Sequence, residues 1–81
     1  MIKKVMGLNE LPIGWPAVVN HILAEGIARR RIMDLGLIPG SRVEAVRKSP
    51  SGDPCAFKIR GTIIAFRKEE ASKILVTPER S

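Results

Sequence analysis

Arg31-Ile32-Met33-Asp34-Leu35-Gly36-Leu37-Ile38-Pro39-Gly40-Ser41-Arg42-Val43 changes its hydrophobic period midway, and that change decides the fold. Before Gly36, Ala28, Ile32 and Leu35 recur at i, i+4 and i+7, the spacing of one helical face, with Arg29, Arg30 and Arg31 on the flanks. Gly36 suits the left-handed residue that closes a helix, and Pro39-Gly40 forbids continuation. Beyond the turn, Val43 and Ala45 alternate with Arg42 and Glu44, the period of a half-buried strand. One short helix over 27–35 therefore gives way to β-structure.

Working outward from this stretch adds mostly strands. Upstream, Pro16 to Leu23 is apolar and partly β-branched, and Asn20-His21 breaks the alternation as a bulge would. Leu11-Pro12-Ile13-Gly14 reads as the turn entering this first strand, and Met1 to Asn9 as an irregular lead-in. Downstream, Cys55, Phe57 and Ile59 alternate with Ala56, Lys58 and Arg60. Ser49-Pro50-Ser51-Gly52-Asp53-Pro54 is dense in turn formers, and Gly61 separates the Cys55 strand from the apolar run Thr62 to Phe66. Lys68 to Ala71 has room for one helical turn, Ile74 to Thr77 reads as a last strand, and Pro78 to Ser81 as a polar tail. This order predicts a mainly β fold of about five strands, with one short α-helix inserted after the first. So small a sheet buries its apolar face and limits its free edges by closing, here into a small SH3-like barrel.

Composition bounds the rest. With 81 residues the chain has room for one domain, its core running from about 8 to 77, and chains of this size bury only about 60% of the surface they expose when unfolded. The apolar fraction of 44% is enough for a core, and the 27% of charged residues is too mixed in sign for a disordered chain. Cys55 is the single cysteine, which excludes an intramolecular disulfide. No apolar run approaches the ~20 residues that span a bilayer, and none follows the basic start as a signal peptide would. The expectation is a cytoplasmic chain without direct membrane insertion. A net charge of +6 biases encounters toward nucleic acid, anionic lipid or an acidic protein face.

Catalysis needs a positioned nucleophile with a base, or a metal with an open position. His21 is the lone histidine, and a lone histidine in a strand is more often a surface or core-edge residue than a base. Cys55 shares the inward period of Phe57 and Ile59 and so reads as a small core side chain. His21, Cys55, Glu69 and Glu70 lack the spacing of a ligand set, so no metal and no cofactor are expected. Gly-x-x-x-x-Gly-Lys is absent, which removes a phosphate loop. The chain does not read as an enzyme.

The stretch from Arg31 to Val43 resembles the central signature of the FeoA family: an Arg and a large aliphatic, then acidic-Leu-Gly-aliphatic-x-Pro-Gly. Pro50-Ser51-Gly52-Asp53-Pro54 is similar to that family's second loop, and Arg60-Gly61 with Ile64 to Ala71 to its closing segment. Ser51 stands where the family often has a larger apolar residue, and Phe66 where Leu is usual. The resemblance implies an SH3-like barrel in the cytoplasm that assists the ferrous iron transporter FeoB, a membrane protein with a cytosolic GTP-binding region. Related domains close the C-terminus of iron-dependent repressors. Because this chain begins at its own Met1 with no winged helix, the free-standing accessory protein is the expected form.

An interaction module implies a docking face. If Ala28, Ile32 and Leu35 pack on the barrel, Met33, Leu37 and Ile38 are left for a partner, with Arg31 beside them to meet an acidic rim. Trp15, between Gly14 and Pro16, is expected at the barrel rim as a further anchor. The competing reading is a basic barrel that binds nucleic acid. Single-strand binders stack bases on exposed aromatics, and Trp15 is the one obvious candidate, so no specific nucleic acid is expected.

Overall fold

The computed structural model describes residues 4–79. The first three residues of the expected lead-in and the last two of the expected tail lie outside them. The elements run β1 (Met6–Gly7), a 3-10 turn (Leu8–Glu10), β2 (Pro16–Ile22), α1 (Gly26–Asp34), β3 (Arg42–Lys48), β4 (Cys55–Ile59), β5 (Thr62–Phe66), α2 (Lys68–Ala71) and β6 (Ile74–Pro78). All six strands pair antiparallel in the order β1-β6-β2-β3-β4-β5. The expected strands and both helical segments are present.

Two differences are local. Residues Met6 and Gly7, read as irregular, pair with Val76 and Leu75 as a two-residue strand, too short to carry a period of its own. Pro78, placed in the tail, is buried as the last residue of β6 opposite Ala17, a position at a strand end where its missing N–H matters little.

The bulge foreseen at Asn20-His21 is present and has a consequence for the core. Pairing with β6 shifts register between Val19 and His21, so the inward set moves from Ala17 and Val19 to Ile22, and His21 faces outward. Thr77 donates to the Asn20 side chain at 2.9 Å, giving the extra residue a partner. A second shift between Ala45 and Arg47 bends β3 in the same way.

Side chains from every strand except β1 enter one core, in which Phe57 and Phe66 pack at 6.2 Å between ring centroids. Cys55 is buried there as expected, its thiol donating to the Gly52 carbonyl at 3.1 Å. Burying one such aromatic contributes about 1.5 to 3 kcal/mol. The edge strands β1 and β5 do not pair with each other; α2, which touches both β5 and the 3-10 turn, spans the gap. Its first amides have partners: Glu70 accepts from Arg67 at 3.2 Å and Asp53 from Lys68 at 2.9 Å, which pins the Ser49–Pro54 loop to the helix.

Candidate docking surface

The site begins with how α1 ends. Leu35 is the last helical-type residue, and Gly36 follows at φ +104°. Gly36 N–H donates to the Met33 carbonyl at 2.9 Å and Leu37 N–H to the Ile32 carbonyl at 3.3 Å, the paired bonds of a Schellman motif. In that motif the residue after the glycine packs on the helix residue whose carbonyl it caps. Leu37 and Ile32 accordingly both lie in the core, at 0% and 2% exposure. Leu37, expected on the partner face, presents no surface and is withdrawn from it.

The face that α1 turns to the barrel also differs from expectation. Ala28 and Leu35 are exposed, and Ile32 alone of the predicted stripe is buried. The inward side is instead Ile32 with the half-buried Met33 and Gly36. The Arg29 guanidinium donates to the Ile22 carbonyl at 3.3 Å, capping the end of β2, and Met33 is half-buried against the core. Ile32 belongs to both lines, and the exposed residues before it give the inner one no apolar signal in the sequence.

This rotation aims a different set of residues at solvent. Ile27 is 88% exposed, and it lines a shallow groove with Arg30, Arg31, Asp34 and Leu35. Arg31, one of the predicted residues, lies on this face, where its Nη1 sits 2.6 Å from Glu70 Oε2 and ties α1 to α2. Asp34, four residues from Arg30 and three from Arg31, forms neither of the two ion pairs among the described residues, which are Arg31–Glu70 and Arg42–Glu79. Ile38 is exposed on the turn after the helix, held by Ser41, which donates to its carbonyl at 2.7 Å. Trp15 is half-buried against the core at the turn before β2, its carbonyl accepting from Ala45. The structure thus gathers Arg31 with the unforeseen Ile27 and Leu35, leaves Ile38 exposed on the turn after the helix and Met33 half covered, and places Trp15 on a separate turn.

Groups considered for chemistry lie apart. His21 is on the outer side of the bulge, Cys55 is inside the barrel, and Glu69 and Glu70 are on α2. Among the described residues no three His, Cys, Asp or Glu side chains lie close enough to hold a metal ion. No helix among them is long and apolar enough to cross a membrane.

Residues 6–78 match the FeoA domain family. Over 71 residues, 88% of its length, the chain is 34% identical to an Fe(2+) transport protein A/Fe(2+) transporter FeoB fusion protein of Porphyromonas gingivalis (strain ATCC BAA-308 / W83), of which it spans only 8%. The solution structure of a FeoA-like protein from Clostridium acetobutylicum aligns over 100% of this chain and 93% of its own, with a TM-score of 0.87 and 40% identity. The zinc-complexed FeoA of Stenotrophomonas maltophilia, described as a prokaryotic SH3 domain protein, aligns over 93% of this chain and 96% of its own, with a TM-score of 0.81 and 34% identity. The match runs from β1 to the end of β6 and takes in the α1 cap and the Ser49–Pro54 loop: the chain belongs to the FeoA family, and its fold is an SH3-like barrel.

Proposed function

We propose that this protein is an accessory subunit of ferrous iron uptake that docks onto the cytosolic GTP-binding region of the transporter FeoB and modulates uptake or GTP turnover. One observation carries the reading: in the Porphyromonas gingivalis relative the matching segment and FeoB are one polypeptide. Fusion holds two modules at a high effective concentration, an arrangement that serves a domain whose role is to touch the transporter. In this reading the chain performs no reaction itself, works in the cytoplasm at the inner face of the membrane, and does not insert.

The docking face is the outer side of α1, with Ile27, Arg31, Leu35 and Ile38. A large apolar side chain as exposed as Ile27 suits a pocket on a partner, and Arg30 and Arg31 suit an acidic rim around it. The phosphate backbone, where most nucleic-acid contacts fall, gives an exposed isoleucine no partner, which ranks that reading second. The test is to add the full chain to FeoB's purified cytosolic region and follow binding by calorimetry and GTP turnover by phosphate release. Saturable binding with a change in turnover is the expected result. No binding at high micromolar concentration would refute the reading.

A further inference from the structure

Strand β5 ends the sheet, pairing with β4 on one side and, among the described residues, with no strand on the other. Its residues Thr62-Ile63-Ile64-Ala65-Phe66 include no charge and no proline, and its five pairs with β4 run without a register shift. A charge, a proline or a bulge ordinarily blunts an edge, and β5 has none of these, while α2 touches it without burying Ile63 or Ala65. The opposite edge, β1, is protected by being two residues long.

The hairpin shows which backbone groups face outward. Arg60 and Gly61, at φ +51° and +81°, form a two-residue turn of the primed kind closing on the pair Ile59 and Thr62. Such a pair exchanges both hydrogen bonds, so Thr62, Ile64 and Phe66 bond toward β4, while the N–H and C=O of Ile63 and Ala65 point away from the sheet. Among the described residues no loop or turn backbone group bonds to either residue. Ile63 is 63% exposed and Ala65 is exposed beside it.

The charges around the strand narrow what can pair there. Arg60 precedes it, Arg67 and Lys68 follow it, Lys58 lies across from Ile63, and all four are exposed. Glu44, opposite Lys58 on β3, and Glu69 on α2 are the exposed acids nearby. A second copy added antiparallel with Ile63 opposite Ala65 would bring Arg60 of each copy alongside Lys68 of the other. Like charges brought together destabilise a pair, so self-pairing in that symmetric register is disfavoured.

We propose that the free edge of β5 accepts an extended segment of a partner protein, apolar at alternate positions and acidic at both ends, as an added strand. The main-chain bonds go to Ile63 and Ala65, an apolar side chain packs beside Ile63, and the acidic ends meet Arg60 and Arg67-Lys68. The proposal concerns a different face from α1 and does not depend on the FeoB reading.

The test uses the full chain and two synthetic peptides of alternating valine and threonine, one with glutamates at both ends and one with lysines. At saturation the glutamate peptide is expected to slow hydrogen exchange at the Ile63 and Ala65 amides by about tenfold or more, and the lysine peptide to leave them unchanged. Ala65→Pro removes an outward N–H without touching the β4 ladder and is expected to abolish the protection. Ile63→Lys, which places a charge on the edge, gives a second reading should the proline variant lose its fold by circular dichroism. Unprotected β5 amides at saturating peptide, equal effects of the two peptides, protection that survives in the folded variants, or pairing of the chain with itself through β5 would each overturn the proposal.

Discussion

Gly36 is the residue on which the end of α1 turns, and its constraint is conformational. A Cβ built there would meet Ile59 Cγ2 at 3.5 Å, an ordinary contact, so space is not the obstacle. The obstacle is φ +104°, a region that β-branched residues avoid. Gly36→Val is therefore expected to lower stability by about 1 to 3 kcal/mol in denaturant melts, and an unchanged midpoint would contradict the cap described above. The glycine was legible in the sequence as a helix stop. The burial of Leu37 was legible too, since a Schellman cap sends the next residue back onto the helix, but it follows only once the two cap bonds are placed. Cys55 was readable from alternation alone, because β4 is regular and packed on one face.

At the scale of elements, the strands were readable from their period and α1 only in part. Its limits follow from Gly36 and from the glycine at 26, yet the buried side does not follow from apolar spacing. Ile32 fits two stripes, and the real one continues to the half-buried Met33 and Gly36, while the exposed Arg29 reaches back to the Ile22 carbonyl. The two-residue β1 left no pattern because its pairing depends wholly on β6. Residues 25–31 are all exposed, so α1 is held to the barrel mainly by Ile32, with Leu37 seated below it. Ile32→Ala is expected to cost about 2 to 5 kcal/mol and to speed amide exchange in α1 more than in β3 and β4. Equal acceleration across the sheet would mean that the helix is not a separately loosened element.

For the whole molecule, a net charge of +6 is spread over α1, the outer face of β3 and β4, and the ends of β5. Contact with nucleic acid is therefore expected to be weak and to fall steeply between low and physiological salt, since it would come from counterion release alone. Sequence-selective binding that persists at physiological salt would favour the competing reading. The proposed docking face overlaps the region that the sequence marked for it, Arg31 to Ile38. Its most exposed member, Ile27, was hidden because a single apolar residue at the start of a helix is indistinguishable from the core stripe until the helix is rotated into place.

The most direct test of the account measures affinity of the full chain for FeoB's purified cytosolic region, comparing wild type with Ile27→Asp combined with Ile38→Asp. Both residues are exposed, at 88% and 37%, so the variant is expected to keep its circular dichroism spectrum. If the outer side of α1 docks, burying two unpaired carboxylates weakens binding at least about a hundredfold, roughly 2.8 kcal/mol or more. A folded double variant that binds as wild type does would contradict the account.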